Sequence, residues 1–404
     1  MPDFFLHGVE VVEIDNGPRP IRTVKSSVIG LIGTAPDADA DAFPLNTPAL
    51  ISGSRVEAAK LGATGTLPQA MDAIFDQIGA VVVVVRVAEG EGETDVEREA
   101  ATMTNLLGGV DAATGQYLGV QAFLAARSTV KVTPRILIAP GFTHQRPLDP
   151  DDASRKLANP VLAEMLGIAE RLRAVIIADG PNTNDADAIS HREDWGSPRI
   201  YPVDPWVKIM RNGAIISEPP SARVAGLISK IDNDKGFWWS PSNNVINGIL
   251  GTSRAVDFAL GDPNARANYL NEHEVATIIQ EDGYRLWGNR TCSSDPLWAF
   301  LSVRRTGDMI NESLLQAHLW AVDRNITKTY VEDVTDGVNA YLRQLTAQGA
   351  ILGGRCWADP DLNTPASVQD GKIYFNFDFT PPYPAEHVVF RSHLVNDYIE
   401  EVFG

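Results

Sequence analysis

The hydrophobic pattern divides the chain into two regions of different character. Between Ser26 and about Asp232, short apolar runs alternate with amphipathic segments. The run Ala80–Val87 is apolar almost throughout, as strands covered on both faces are. Strands separated by helices of about 10–15 residues favour an α/β layer with a mainly parallel sheet.

The bounds of these elements follow from apolar runs, capping residues and breakers. The predicted strands are Ser27–Gly33, Ala80–Val87, Arg135–Ala139 and Ala174–Asp179. The predicted helices are one capped by Ser54 and Glu57, one with Pro68 in its first turn that runs to Ile78, and Asp95–Leu107, Pro160–Arg173 and Pro219–Ile231. Gly30 and Gly33 do not complete a GxGxxG phosphate loop, so we interpret them as sites of tight packing.

After Gly236 the chain is richer in Gly, Ser, Asn and aromatic residues. This region predicts an α+β unit with shorter strands. The predicted strands are Thr277–Gln280, Arg285–Gly288, Trp298–Val303, Lys372–Phe379 and His387–Leu394. The predicted helices are Gly307–Asn325 and Asp333–Gln348.

Composition excludes several classes of protein. The chain has 404 residues, which favours two or three domains, and its apolar content of 44% is ordinary for a soluble protein. A net charge of −18 argues against direct binding to a phosphate backbone. Two cysteines cannot build a disulfide framework. The N-terminus lacks the pattern of a secretory signal, and the longest apolar run, Ala80–Val85, is too short to span a membrane.

The sequence predicts no catalytic, metal or cofactor site. The segment Gly251–Ala255 superficially resembles the nucleophile segment of subtilisin-type proteases, which leaves a serine hydrolase as a remote alternative. None of the seven histidines has the HGTxxA context of such a triad, so we expect Ser253 to cap a helix Arg254–Leu260. Two Asp-rich loops, beginning at Asp37 and Asp359, lack the glycine of a calcium loop.

Four cations form a possible binding strip on this acidic chain. Arg304 and Arg305 are predicted at the end of a strand, just before the helix Gly307–Asn325, and Arg324 and Lys328 at its far end. These cations either interact favourably with the helix dipole and form a solvated helix surface, or they bind an acidic partner. Both interpretations stay open on sequence grounds.

Several segments, in order, resemble the contractile tail sheath proteins of phages and R-type pyocins. Phe237–Arg254 resembles the family's SP-S-N-x-I-x-G segment, and Leu270–Thr291 its core signature ending in WGxRT. Phe377–Arg391 resembles its P-x-x-P-A-E strand pair, and Phe5–Ile21 with Ser26–Pro36 its N-terminal arm and first strand. Residues about 90–235 match only in their α/β pattern.

The resemblance implies a mechanical function. Family members polymerise as a helical sheath around a tail tube and contract to drive it through a cell envelope. It also implies an N-terminal arm (1–22), an outer α/β domain (23–235) described as subtilisin-like, an inner domain facing the tube (236–385) and a C-terminal strand or arm (386–404). The cations Arg304, Arg305, Arg324 and Lys328 become candidates for contact with the tube.

The strand-like chain ends fit this picture, because an isolated strand leaves its backbone amides unpaired. We expect each end to complete a sheet in a neighbouring subunit. The predicted arm positions are Val9, Val11, Val12 and Ile14 at one end and Val388, Val389, Phe390 and Leu394 at the other. The predicted acceptor strand contains Ile373, Phe375, Phe377 and Phe379.

The expected partners are copies of the chain itself, the tail tube protein, and baseplate and tail terminator proteins, without direct nucleic-acid contact or membrane insertion. The expected location is the virion tail, after assembly in the host bacterial cytoplasm. A tailocin particle and a sheet-forming scaffold unrelated to contraction remain alternatives. Because no nucleotide-binding loop is present in the sequence, we expect contraction to draw on energy stored during assembly.

Overall fold

The computed structural model describes residues 20–152, 154–396 and 398. The strands are β1 Ile29–Thr34, β2 Pro48–Ser52, β3 Val81–Val87, β4 Gly109–Val110, β5 Tyr117–Leu118, β6 Ile136–Ile138, β7 Val175–Asp179, β8 Ile200–Val203, β9 Val207–Arg211, β10 Ala214–Glu218, β11 Asn244–Val245, β12 Gly251–Thr252, β13 Thr277–Gln280, β14 Tyr284–Trp287, β15 Gly353–Ala358 and β16 Phe375–Thr380.

The helices lie between these strands. They are α1 Arg55–Ala58, α2 Thr66–Phe75, α3 Asp95–Leu107, α4 Ala126–Val130, α5 Pro160–Leu172, α6 Asp185–Glu193, α7 Ser221–Asp234, α8 Arg266–Glu272, α9 Leu301–Ala317, α10 Lys328–Ala347 and α11 Pro365–Gln369. Short 3-10 helices occur at Ala59–Leu61, Gly119–Ala125, Pro296–Trp298 and Leu319–Ala321.

A mainly parallel sheet forms the centre of the α/β layer, as the sequence predicted. Its strand order is β2-β3-β1-β6-β7-β8. Strands β3, β1, β6, β7 and β8 run parallel to one another, and β2 pairs antiparallel with β3 at one edge. The long crossovers that parallel pairing requires are made by the helices that cover the two faces.

The continuous apolar run of β3 has a direct structural cause. Val82 and Val84 pack into a core on one face, together with α2 and α7. Val83 and Val85 pack into a second core on the other face, together with α5 and the 3-10 helix Gly119–Ala125. Because both faces are covered, every position in the middle of the strand is apolar.

Gly30 lies in the middle strand, where neighbouring chain approaches closely. A Cβ atom at Gly30 would lie 2.7 Å from Cδ2 of Leu137 and 2.9 Å from Cβ of Pro134. A larger residue would therefore push β1 away from its neighbours. This agrees with the interpretation of the glycine as a packing residue.

Two small sheets extend the central layer beyond β8. The chain entering β13 pairs with β8, because the amide of Asp204 donates to Ala276 and the amide of Ala276 to Pro202, both at 3.0 Å. Ile278 and Leu286, from the sheet β11-β14-β13, pack into the same core as α2 and α7. Residues that the sequence analysis assigned to the inner domain thus share a core with the outer α/β domain. The domain boundary between residues 235 and 236 stays a prediction.

A separate core lies between α9, α10 and the antiparallel pair β15–β16. It contains Met309 and Ile310 of α9, Tyr341 and Leu342 of α10, and Cys356 of β15. This unit contains the predicted acceptor strand and lies at the base of the C-terminal segment. It is therefore the part of the fold that positions the candidate assembly surfaces.

The predicted strand Trp298–Val303 was wrong. Residues 296–298 form a 3-10 turn and α9 begins at Leu301, earlier than the predicted start at Gly307. Leu301 and Val303 are buried against other elements. Their burial produced an apolar alternation that mimics a strand, although it belongs to the first turn of an amphipathic helix.

Candidate functional site

The first residues that the structure describes enter the fold between α9 and α10. Ile21 is buried in the core of that unit. The hydroxyls of Thr23 and Tyr341 are hydrogen-bonded at 3.0 Å, and the amide of Val24 donates to Ser313 Oγ at 3.0 Å. The predicted N-terminal arm positions lie outside the described residues: Val9, Val11, Val12 and Ile14. Residues 21–24 are therefore attached to α9 and α10.

The predicted acceptor strand corresponds to β16, although Ile373 precedes it. Phe375, Phe377 and Phe379 alternate along β16 and pack against the core of α9 and α10. β16 pairs with β15 from Phe375 opposite Ala358 to Thr380 opposite Gly353. Within the described residues, this sheet has only those two strands, so the other edge of β16 is open to a further strand.

An apolar groove of about 350 Å³ lies beside β16. Its walls come from the end of α9 and the turn after it, from α10, and from Ile373 and β16. Leu314, Val334 and Phe377 are among its apolar lining residues. An open strand edge next to an apolar groove offers both the hydrogen bonds and the side-chain contacts that an added strand needs.

The C-terminal segment after Glu386 is extended away from the protein's own cores. Residues 387–395 form no strand, so the predicted strand His387–Leu394 was wrong for the single chain. Phe390 is 93% exposed and Leu394 99% exposed, and Val388 and Val389 are also exposed. The segment therefore exposes several apolar side chains and pairs with no other strand among the described residues.

The base of that segment is fixed to the protein by two side chains. Glu386 accepts from Arg290, with Nη2 to Oε2 at 2.7 Å and Nε to Oε2 at 3.0 Å. Tyr383 packs edge-on against Phe300 at 6.1 Å between ring centroids. The guanidinium of Arg290 also lies 5.0 Å from the centre of the Phe300 ring. Both charges belong to motifs that marked the family resemblance, but sequence reasoning did not pair them.

Arg304 and Arg305 are not free surface cations, and they do not end a strand. Both lie in the first turns of α9. Arg305 is 3% exposed and donates to Asp232 of α7 at 2.7 Å. Arg304 pairs with Asp308 one turn further along α9 at 2.8 Å and lies over the ring of Trp298. Both side chains are thus used within the chain.

Arg324 and Lys328 lie apart from that buried pair. Arg324 lies in the connection between the 3-10 turn after α9 and α10, over the ring of Trp320. Lys328 is the first residue of α10, and its side chain is 89% exposed beside Glu332 at 3.7 Å. The prediction that both residues lie at the far end of one long helix was therefore wrong, although both side chains are exposed. Contact of either with a tube stays a prediction.

Buried ion pairs join α9 to the α/β layer, and sequence reasoning missed them. Arg199, just before β8, donates to both carboxylate oxygens of Asp308 at 2.7 and 3.0 Å. Arg135, just before β6, pairs with Glu312 of α9 at 2.9 Å. The partners are separated by more than 100 residues in sequence, so no local pattern marks them. They attach the unit of α9 and α10 firmly to the sheet.

Ser253 does not have the surroundings of a catalytic serine. Its hydroxyl is hydrogen-bonded to Asn182 Oδ1, and within the described chain no histidine bonds to it. Residues 254–260 carry no helix, so the predicted cap was also wrong. Arg254 instead pairs with Asp185 and Asp204, which holds this segment in an irregular path. The geometry gives no support to the serine hydrolase alternative.

The carboxyl end of the central sheet, where α/β proteins often bind ligands, is filled by the chain's own groups. Asp179 ends β7 and is fully buried. Its carboxylate accepts from the amide and hydroxyl of Ser221 at 2.8 and 2.9 Å and from the amide of Gly141 at 3.2 Å. Burial raises the pKa of Asp179 to about 6, against the opposing effect of these donors.

Other chemistry in the described residues is limited. Across residues 20–152 and 154–396, no cluster of three or more His, Cys, Asp or Glu is placed to hold a metal ion. Cys292 and Cys356 are free and buried, and burial raises the pKa of their thiols to about 12 and about 11. Both are protonated and sheltered at neutral pH.

No helix in the described part of the chain has the length and apolarity needed to cross a membrane.

Three family models match consecutive parts of the sequence. Residues 26–87 match the N-terminal region of domain III of the Gp18 tail sheath protein. Residues 112–292 match the phage tail sheath protein central domain, and residues 293–394 match the phage tail sheath C-terminal domain. Together they cover most of the chain.

Curated relatives and solved structures agree with these matches. The chain is 43% identical to a protein of Pseudomonas aeruginosa strain UCBPP-PA14 that bears the name of a prophage major tail sheath protein, over 98% of both chains. It is 37% identical to the tail sheath protein of Escherichia phage P2, over 97% of this chain and 96% of that one. The helical sheath of the anti-feeding prophage in its contracted state has the same fold, with a TM-score of 0.69 at 20% identity, over 96% of this chain and 99% of that one. The chain belongs to the phage tail sheath family and is a tail sheath subunit of the kind found in contractile injection systems.

Proposed function

We propose that copies of this chain polymerise as a helical sheath around a tail tube, and that contraction of the sheath drives the tube through the host envelope for genome delivery. The observation that carries this proposal is a pair of complementary features on one chain. Among the described residues, the exposed segment 387–395 with its apolar side chains has no strand partner, and β16 has an open edge beside an apolar groove. A single chain leaves both unsatisfied, whereas a polymer of copies can join them.

The two chain ends serve as arms between copies. The N-terminal arm, with Val9, Val11, Val12 and Ile14, adds to the open edge of β16 in one neighbour. The C-terminal arm, with Val388, Val389, Phe390 and Leu394, links to another. Long arms also let copies rotate relative to each other and stay connected.

The sheath holds the tube through many weak polar contacts rather than one apolar surface. Exposed charge pairs contribute about 0–1 kcal/mol each, so attachment depends on their number and remains reversible. Arg324 and Lys328 supply cations at an exposed end of α10. The baseplate and the tail terminator bind the two ends of the sheath, and the chain makes no direct contact with nucleic acid or with membrane lipid.

Contraction uses energy stored during assembly rather than nucleotide hydrolysis. The extended array is metastable, and the contracted array has the better-packed interface. A net charge of −18 on each copy makes both arrays sensitive to salt and pH. Purified particles that stopped contracting when ATP was removed would contradict this account.

The sheath forms part of a virion tail and assembles in the host bacterial cytoplasm. A tailocin sheath is the second candidate, because the same chain ends and groove would serve a particle without a capsid. Neighbouring genes for a capsid would separate the two. The likeness of the outer domain to subtilisin remains a prediction of the sequence resemblance.

Electron microscopy of the purified chain tests the proposal. The wild-type protein is expected to form hollow helical tubes on its own. A variant ending at Glu386 should fold and stay monomeric, while Val56→Asp, at an exposed position of the α/β layer, should still form tubes. Tubes formed by the shortened chain, or sheets without helical order from the wild type, would overturn the proposal.

A further inference from the structure

The path of the chain after β16 separates the C-terminal arm from the sheet that precedes it. β16 ends at Thr380, and residues 381–386, PPYPAE, then run as an irregular segment. Three prolines stiffen this segment, because each fixes its own φ angle and restricts the residue before it. The arm proper begins at His387. It therefore leaves the protein from Glu386 and not from the end of β16.

Glu386 is held by a bidentate contact. Arg290 donates through Nε to Oε1 at 3.1 Å and through Nη2 to Oε2 at 2.7 Å, and both side chains are partly shielded from solvent. The guanidinium lies over Phe300, whose ring also contacts Tyr383 of the proline segment. One ion pair and two ring contacts thus converge at this point. We call Arg290, Phe300, Tyr383 and Glu386 the arm clamp.

The clamp is attached to a rigid part of the molecule. Arg290 and Phe300 lie opposite each other in an antiparallel bridge, flanked by hydrogen bonds from Thr291 to Ala299 at 2.8 Å and from Leu301 to Asn289 at 3.0 Å. Phe300 is also the residue that immediately precedes α9. The buried pair of Asp308 with Arg199 then ties α9 to the central sheet.

Without the clamp, a pull on the arm would reach Thr380 directly. Thr380 lies opposite Gly353, where β15 begins. A force entering at Thr380 and leaving at Gly353 acts at one end of the antiparallel pair. It would separate the strands one residue pair at a time, so that few hydrogen bonds resist the pull at any moment.

We propose that the arm clamp carries tension from the C-terminal arm into α9 and the central sheet, and so protects β16 from being peeled away from β15. In this arrangement the pull enters at Glu386, passes to Arg290 and Phe300, and bypasses the two-stranded sheet. The proposal rests on the proposed function in one respect, because it takes the arm to be a connection under tension between copies.

Charge reversal tests the clamp in the isolated, full-length chain. Glu386→Arg or Arg290→Glu should increase amide hydrogen exchange of β16 about fivefold, the effect of losing one partly exposed ion pair. The double variant with both charges exchanged should restore slow exchange. Arg98→Glu, which breaks an exposed pair with Asp95 on α3, is the matched control and should leave β16 unchanged. Unchanged exchange in both single variants would overturn the proposal.

Single-molecule pulling tests the direction of the tension. One handle is attached through Val56→Cys, an exposed position, and the other through a cysteine added after Gly404; the native thiols are buried. In the wild type, only the arm, residues 387–404, should extend at low force, by about 60 Å. In Glu386→Arg, residues 375–386 should also be released at low force, adding about 40 Å. The same low-force extension in both proteins would contradict the clamp.

The two hypotheses fail in different ways. If charge reversal raises the hydrogen exchange of β16 as expected but the wild-type chain forms no tubes, only the proposed function is contradicted. Normal tubes from a chain whose β16 exchange does not respond to charge reversal would contradict the clamp alone.

Discussion

The guanidinium of Arg199 donates to both oxygens of the Asp308 carboxylate, and both side chains are almost fully excluded from solvent. Arg304 donates to the same carboxylate from one turn earlier in α9. A single acid therefore balances two arginines at the boundary between the central sheet and the unit of α9 and α10. Removing it leaves Arg304 without its ion-pair partner and leaves Arg199 with only the largely exposed Glu170, at 3.1 Å.

Asp308→Ala should be strongly destabilising for this reason. We expect a loss of about 3–5 kcal/mol in the free energy of unfolding, because breaking one side of a buried pair leaves an uncompensated charge. Urea unfolding followed by circular dichroism measures the change. Asp336→Ala, at an exposed position of α10, should change stability by less than about 0.5 kcal/mol. Equal stability of the two variants would show that the pair contributes little.

Deletion of residues 1–20 should separate assembly from folding. The shortened chain keeps Ile21 in its core and the contact of Thr23 with Tyr341, so its free energy of unfolding should stay within about 0.5 kcal/mol of the wild type. It should nevertheless form no tubes. Deletion of residues 1–25 also removes Ile21 and should cost about 1.5–3 kcal/mol. Normal tubes from the shorter deletion would exclude an arm function for the N-terminus.

Charge reversal at Arg324 and Lys328 should weaken binding of the sheath to the tube. The double variant Arg324→Glu, Lys328→Glu should still form sheath-only polymers, because neither residue lies in β16 or in the C-terminal segment. Co-sedimentation with purified tube measures the effect. The control variant Lys60→Glu, Arg98→Glu reverses two exposed cations of the α/β layer. If the double variant at Arg324 and Lys328 binds the tube as well as the control variant does, neither residue contributes to tube contact.

His144 should make the folded chain sensitive to acid. Its ring packs edge-on against Trp206, and burial lowers its pKa to about 4. Since its unfolded pKa is near 6.5, the unfolded chain binds the proton more readily between pH 6.5 and 4. The stability that depends on neutral His144 is complete above pH 6.5 and is lost as the pH falls towards 4, by up to about 3 kcal/mol.

His144→Gln should therefore flatten this part of the stability curve. Nearby Glu99 favours protonation of His144, while buried His191, whose own pKa is lowered mainly by burial, opposes it. A smaller acid dependence should thus remain in the variant because His191 is still present. Urea unfolding at several pH values from 7 to 4.5 measures the difference, with exposed His393→Gln as control. Parallel curves for wild type and His144→Gln would contradict the assignment.

The sequence predicted the α/β layer well where local pattern and burial agree. Helix α3 has the predicted bounds, because Thr94 and Glu97 form a capping box and Gly108 follows its end. Strand β3 was predicted from a run that is apolar on both faces. The hairpin β9–β10 was missed although Asn212-Gly213 is a strong turn signal, because the chain beside it was assigned to no element.

The candidate site was less accessible to sequence reasoning because it depends on contacts between distant residues. The residues next to Arg305 in the sequence are mostly polar, as on a protein surface. Its side chain is nevertheless buried, in an ion pair with Asp232 of α7. Arg290 and Glu386 are 96 positions apart, and nothing in either segment indicates their pairing. Residues 387–394 form no strand within the single chain, and their pairing with a neighbouring copy stays a prediction.

The groove beside β16 has a consequence for inhibition by small molecules. Its volume of about 350 Å³ falls within the range of about 300–1,000 Å³ that organic ligands occupy, and Tyr330 and His318 place polar atoms among its apolar walls. If the proposed arm exchange occurs at β16, a compact apolar compound bound there would compete with the arm of a neighbouring copy for the same surface. Such a compound would need only to occupy one groove in a growing polymer to stop the next copy from joining at that point.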